Sequence, residues 1–377
     1  MDHPTIVDDP TSSLSAALDP DPTEWPVLVT GASGFVGGHV ARTLARAGHR
    51  VRGLTRSNPL VEPDDPAIDW VRGDLRNPKD RRAALRGVRG VIHSASWVSL
   101  GADPRGEGAS VNVEATRGLL LDSVASGVER MVYTSTLHTL AAGSADAPAD
   151  EDTPWNLERV NSTYARTKRE AEAMVLDGSG GRIETVALCP GMVIGSRDPK
   201  PTSTSLLIAL ARSPLAVLPS GGIPIIDARV AAQAHRRALV AGGAGRRYAL
   251  AGPYLSFVEL AMLVGKLTGR PRRTFPLPDV CERPMVWCAG WFDRLVGGRW
   301  IEVSSATVAG GFLRLHVRGD RADRAFGLVH PAPEESIEIA LRDARRVGLA
   351  RGVRLLKPTP AGRPAIEPVA ANPIKAL

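Results

Sequence analysis

Cysteine, aromatic residues and long apolar runs are all scarce in this chain. Three cysteines in 377 residues (Cys189, Cys281, Cys288) form no CxxC and no His/Cys ligand spacing. That excludes a disulfide framework and a structural metal module, and it points to reduced thiols in a cytoplasmic protein. The longest apolar stretch, Ser205–Leu218, is interrupted by Arg212 and Pro214 and is too short to span a bilayer. No basic segment followed by an apolar one opens the chain, so no secretory signal is visible. Lysine is rare as well, because nearly all of the 47 basic residues are Arg. They carry the net charge of +7 without forming patches interleaved with aromatics. A nucleic-acid surface is therefore not expected.

What is present is a globular composition, 43% hydrophobic, with enough length for one large domain or two intimate ones. Residues 1–24 hold six acids and no Lys or Arg and read as a disordered acidic leader; residues 351–377 read as a basic tail. From Trp25 apolar strands alternate with helices: "PVLVT", "HRVRGLT", "DWVRGD", "VRGVIHSAS", "RMVYTST" and "RIETVALCPGMVIG" are strands. The segments between them have helical period and caps. This alternation predicts a doubly wound, Rossmann-like parallel sheet over 25–195. Residues 196–350 have a looser pattern, with Pro/Gly-rich "SPLAVLPSGGIPIID" between helical segments. They read as a smaller, mostly helical lobe over the carboxyl ends of the strands, with segments able to return to the sheet.

Between the first strand and first helix lies "VLVTGASGFVGGHV", with Thr30 followed by Gly31, Gly34 and Gly37. A tight turn and a close backbone approach let a pyrophosphate sit on the helix N-terminus, so this loop predicts a dinucleotide site. An NAD site ordinarily has an acid at the end of the second strand; here Thr55 and Arg56 stand there. A guanidinium without a carboxylate favours the 2′-phosphate of NADP, with NAD the alternative. Asp74, at the end of the third strand, is a candidate acceptor for the adenine amine or simply a turn acid.

Tyr164 and Lys168 are spaced i, i+4 on a predicted helix and share a face. A nearby cation stabilises a phenolate and makes a Tyr usable as a general acid/base. With four Tyr and six Lys in the chain, such a pair arises about 0.06 times by chance. Thr136 ends the fifth strand in "VYTSTLHTL", where its hydroxyl can hold a substrate oxygen beside Tyr164. Thr134 and Ser135 are expected to be satisfied by local backbone or by the cofactor. Asn112, in "VNVEATRGLL", either anchors a water relaying protons to Lys168 or caps the helix.

Together, "TGASGFVGG", "RGDL", "VIHSAS", "VNVEATRGLL", "YTST", "YARTK" and "CPGMVIG" resemble the extended short-chain dehydrogenase/reductases, the NAD-dependent epimerase/dehydratase family. The nearest branches by motif are the dihydroflavonol-reductase-like, hydroxysteroid-dehydrogenase-like and hopanoid-associated epimerase-like ones. The resemblance implies Thr136, Tyr164 and Lys168 as a catalytic triad supported by Asn112, with Lys168 also on the nicotinamide ribose. It adds Phe35, Val36, Leu75, Ser94, Ala95, Pro190 and Val193 to the expected cofactor contacts, and a possible homodimer. "IIDARVAAQAH" departs from the family pattern in having Val230 where a second Asp is usual.

After Thr136 come Leu137 and His138. The acid pair that sugar dehydratases of the family need is missing, as is the Cys used by enediol epimerases. His138 is expected to be structural or to line the pocket. The expected activity is hydride transfer between NADP(H) and a small alcohol or ketone substrate. The alternatives are a nucleotide-sugar epimerase holding NAD and, third, a non-catalytic NADP sensor. Trp287 and Trp291 share one helical face and suit core packing, an apolar substrate, a partner subunit or a membrane surface.

Overall fold

The computed structural model describes residues 25–356, except 60, 64, 100–102, 104, 161, 178–179, 200, 202, 272, 297–304 and the side chains of 292–296. The acidic leader, and the tail from residue 357, lie outside the described residues. The first half opens with β1 (Val27–Thr30), α1 (Phe35–Arg46), β2 (Val51–Thr55), β3 (Asp69–Arg72), α2 (Pro78–Leu85) and β4 (Gly90–His93). A π-helical turn (Ala109–Glu114) runs directly into α3 (Ala115–Ala125), followed by β5 (Arg130–Thr134), α4 (Thr163–Asp177), β6 (Glu184–Pro190) and β7 (Met192–Ile194).

The rest comprises α5 (Ser203–Arg212), β8 (Leu215–Pro219), β9 (Gly222–Asp227), α6 (Ala228–Ala238), β10 (Arg246–Leu250), β11 (Tyr254–Ser256) and α7 (Phe257–Leu267). It ends with β12 (Arg273–Leu277), α8 (Glu282–Val296), α9 (Ser305–Phe312), α10 (Asp320–Phe326) and α11 (Pro333–Arg346).

The central sheet has seven parallel strands in the order β10-β6-β5-β4-β1-β2-β3. Strands flanked by helices on both faces must be apolar throughout. Accordingly, β1, β4 and β5 are buried along their whole length. One face is covered by α1 and α6, whose Ala231, Ala232, Ala234 and Ala238 allow close approach, with Phe326 of α10 beside them. The other is covered by α2, α3 and α4 through Leu85, Leu119, Leu120, Ala171 and Val175. Each fully buried Leu contributes about 2 kcal/mol of apolar burial.

The strand order reverses between β4 and β2 around β1, and ligands of open parallel sheets sit outside the carboxyl ends at such a point. β10, from beyond residue 196, forms the edge next to β6.

The segment after β7 contains more strand than its Pro/Gly content suggests. β11-β9-β7 form a small mixed sheet and β12-β8 a parallel pair. Pro224 explains why β9 tolerates a proline. Residues up to Pro224 pair with β11, and those from Ile225 onward pair with β7. The missing N–H thus falls where the strand changes partner. Around these strands α5, α7 and α11 share a separate apolar cluster with Leu207, Leu260 and Leu341 at zero to one per cent exposure.

Candidate active site

The glycine loop has the conformation that a pyrophosphate cradle requires. Gly31 adopts φ +68°, which favours glycine. A Cβ there would lie 2.8 Å from the Ala95 backbone, and one on Gly37 would lie 2.3 Å from the Gly31 carbonyl oxygen. α1 starts at Gly34 with no side-chain cap and no acid in its first turn, so its leading N–H groups remain for an anion. Thr30, fully buried, accepts from the Ala95 amide at 3.2 Å and bonds His93 Nδ1 at 2.7 Å. These residues fit a dinucleotide phosphate. Phe35 and Val36 are half-buried at the start of α1.

At the end of β2 the Thr55 hydroxyl donates to the Ser57 carbonyl at 2.6 Å and lies 2.9 Å from the Ser33 hydroxyl of the glycine loop. Arg56 is exposed beside it, and its charge helps hold the Asp74 carboxyl below its ordinary value. The main cause is Arg76, which grips both Asp74 oxygens. Asp74, the candidate for an adenine amine, thus has Arg76 as its partner, while Leu75 next to it is buried. The loop after β2 is braced by Arg197, whose guanidinium bonds Glu62 and Asp65 and whose amide is held by Asp343 of α11.

The three hydroxyls at the end of β5 have separate partners; Thr134 and Ser135, expected to be satisfied by local backbone or cofactor, bond side chains from distant elements. His235 Nδ1 lies 2.7 Å from the Ala231 carbonyl, so it must carry the ring proton and leave Nε2 as acceptor. The Thr134 hydroxyl donates to that Nε2 at 2.8 Å and accepts from Ser94 at 2.6 Å. Ser135 donates to the buried Glu172 carboxylate. Thr136, buried just beyond β5, lies 3.3 Å from His138 Nδ1 and is close enough to the Tyr164 phenol to oppose the rise of its pKa.

Tyr164 and Lys168 stand one turn apart on α4 and meet the end of β5. Burial pushes the phenol up to about 12, opposed by Thr136, so this Tyr is held protonated. Lys168 is buried, donates to the Thr134 carbonyl at 2.5 Å and lies 4.2 Å over the Tyr133 ring. Desolvation brings its ammonium down to about 7, with Glu172 opposing. Thr136, Tyr164 and Lys168 are thereby brought together at one strand end.

Asn112 is not a helix cap; it lies inside the π-helical turn. Its Oδ1 accepts from Ser96 and the Trp97 amide, and its Nδ2 donates to the Trp97 carbonyl and to Thr167. All four side-chain positions are used, so a water relay could use only its backbone. Leu137 is fully buried in the apolar cluster with Leu140 and Leu157. His138 is half-buried, desolvation lowers its pKa, and Trp155 donates to its carbonyl. Pro190 and Val193 are buried on either side of the β6–β7 break, while Ser94 and Ala95 are half-buried at the end of β4.

Three further residues pack against this group: Glu172, His93 and His235, the last two inside "VIHSAS" and "IIDARVAAQAH" but given no role by those motifs. Burial holds His235 near 4, and burial with the Lys168 charge holds His93 near 3. Both stay neutral and serve as hydrogen-bond partners. Only the position of Glu172, four residues after Lys168 on the same helix face, offered a local hint.

The model of the NAD-dependent epimerase/dehydratase family matches residues 27–246. The chain belongs to this family. A Synechocystis protein named putative dihydroflavonol 4-reductase is 30% identical, the match covering 84% of this chain and 92% of that one. A Mycolicibacterium neoaurum 3-beta-hydroxysteroid dehydrogenase is 36% identical, but over 46% of this chain and 48% of its own length. The crystal structure of a nucleoside-diphosphate-sugar epimerase from Pseudomonas aeruginosa superposes with a TM-score of 0.69 at 23% identity, over 87% of this chain and 99% of that one.

Family membership makes the chain an NAD-dependent epimerase/dehydratase-type protein, and the relatives above are named as a reductase, a dehydrogenase and an epimerase. The family segment "IIDARVAAQAH" has a clear role here. Asp227 caps α6, pairs with Arg229 and accepts from Ser336 at 2.7 Å. Val230, the departure from the pattern, packs into the core between α6 and the sheet. Among the described residues no helix is long and apolar enough to cross a membrane. Trp287 and Trp291 are exposed, at 71% and 57%, so core packing does not account for them.

Proposed function

We propose that this chain is an NADP(H)-dependent oxidoreductase that moves hydride between nicotinamide and an alcohol or ketone carbon. The observation that carries this reading is the meeting of Thr136, Tyr164 and Lys168 beside the glycine loop. Bound nicotinamide supplies or accepts the hydride. The Thr136 hydroxyl holds the substrate oxygen. Tyr164, kept protonated by its surroundings, gives that oxygen its proton in reduction and takes it back in oxidation. Lys168 places positive charge behind the phenol and holds the nicotinamide ribose. Gly31, Gly34 and Gly37 admit the pyrophosphate, and Arg56 with no acid at the end of β2 suits a 2′-phosphate.

The chemistry needs no second acid pair, in keeping with Leu137 being core and His138 being held neutral. The reductase names of the relatives support the same direction. The test is a panel of ketones and nucleotide sugars with NADPH and NADH, read at the nicotinamide absorbance, on wild type and Tyr164→Phe. We expect NADPH-dependent ketone reduction, lowered at least 100-fold by Tyr164→Phe with cofactor binding retained. Tightly held NAD with sugar interconversion and no net cofactor turnover would replace this reading with epimerisation.

A further inference from the structure

We infer that Glu172 is a positioning residue of the site: its buried carboxylate keeps the Lys168 ammonium charged and ties the strand end bearing Thr136 to the helix bearing Tyr164. The inference deepens the reading above and rests on it for the role of Lys168.

The geometry is specific. Glu172 sits one turn after Lys168 on α4, is 3% exposed, and faces inward. Four groups from four places in the chain converge on it. Ser135 donates from the end of β5, Thr139 lies at 2.7 Å, Cys189 of β6 at 3.4 Å and Arg247 of β10 at 3.3 Å. The Thr139 hydroxyl also lies 2.8 Å from the Thr136 carbonyl. The single Thr139 proton is shared between the carboxylate and the backbone of the residue assigned to the substrate oxygen. The donors Ser135, Cys189 and Arg247 suit an acceptor-only carboxylate. Burying a carboxylate so deeply costs stability unless its charge is matched, and the cations available are Arg247 and Lys168.

Lys168 has the complementary need. Its described surroundings are the Thr134 carbonyl, the Tyr133 ring from β5, Cys189 from β6 and His93 from β4. Burial raises the Tyr133 phenol and the Cys189 thiol well above their ordinary values, and His93 is held near 3. All three are neutral near pH 7. Glu172 is then the one negative charge among these described neighbours, and it opposes the desolvation that would strip the ammonium of its proton.

The test reads Lys168 directly and needs no substrate. The chain has six lysines, so the Lys168 side-chain resonance in isotope-labelled full-length protein can be assigned by comparison with Lys168→Met. In Glu172→Gln, which keeps the shape, the apparent Lys168 pKa should fall by at least one unit, a tenfold rise in its acid constant. In Arg247→Gln, which removes the competing cation, it should rise. An unchanged Lys168 titration in Glu172→Gln, or a shift upward, overturns the inference. Should Glu172→Gln fail to fold, Arg247→Gln decides, and no rise there overturns it. Because the titration is independent of turnover, an active Tyr164→Phe would sink the hydride-transfer reading while leaving this result standing.

Discussion

Thr134→Val is the perturbation whose consequences can be worked furthest. It keeps the shape of the side chain and deletes only the hydroxyl that links Ser94 to His235. His235 is fully buried with its Nδ1 proton committed to Ala231, so its Nε2 loses the one donor described for it. An orphaned buried acceptor costs about 1–3 kcal/mol. His235→Leu removes the acceptor of the Thr134 hydroxyl, which keeps Ser94 at 2.6 Å as its partner.

The double variant removes both partners, so it should cost less than the sum, by roughly 0.5–2 kcal/mol. Acid adds a second reading of the same pair. His235 has a folded pKa of about 4 against an ordinary 6.5, so between those values the unfolded chain binds more protons than the native one. Stability therefore rises with pH across that window and falls on acidification, by about 2 kcal/mol for this group between pH 7 and pH 5. His235→Leu should lose that part of the acid sensitivity, while His93, held near 3, retains its own. Urea unfolding of the four proteins at pH 7 and pH 5 gives both numbers. Additive costs, or an acid slope unchanged in His235→Leu, would refute the hydrogen-bond chain.

Gly37→Ala places a Cβ 2.3 Å from the Gly31 carbonyl oxygen; the turn must open, and NADPH affinity by fluorescence should drop at least tenfold. Arg56→Ser should weaken NADPH binding by about tenfold or more while leaving NADH unchanged; equal losses for both would remove Arg56 from the phosphate site. Arg197→Ala leaves Glu62 with Arg346 and Asp65 with Arg42 but removes the guanidinium that joins the two acids in the loop after β2. Hydrogen exchange in residues 56–65 should quicken, and unaltered protection would show that the brace is idle.

Legibility followed the range of the interactions. The first strand, the glycine loop and α1 could be read from residues 26–48, because a buried parallel strand, a phosphate turn and an amphipathic helix each have a local pattern. Tyr164 and Lys168 were visible for the same reason, since helical spacing alone puts them on one face. The partners of Thr134 and Ser135 were not. His235 and Glu172 arrive through crossovers 101 and 37 residues away, and no local pattern encodes that pairing. Asn112 could be found but not interpreted, because a π-helical turn has no sequence period of its own. β8 and β9 were obscured by Pro and Gly; in β9 the place of Pro224 depends on which neighbour each half pairs with, and β8 ends its pairing with β12 at Pro219.

The edge strand β10 has a consequence for how the protein is made. During synthesis the five strands from β1 to β5 and then β6 emerge first, but β6 has no neighbour on its outer side until residues 246–250 appear. A nascent chain that has reached only residue 195 therefore carries an open, apolar strand edge, the kind of surface on which chains pair with one another. Residues 196–245 must be threaded out before the central sheet can be sealed. An insertion that slows the folding of residues 196–245 would thus lengthen the time this edge stays open, and its cost would be seen as aggregated product rather than as lost activity.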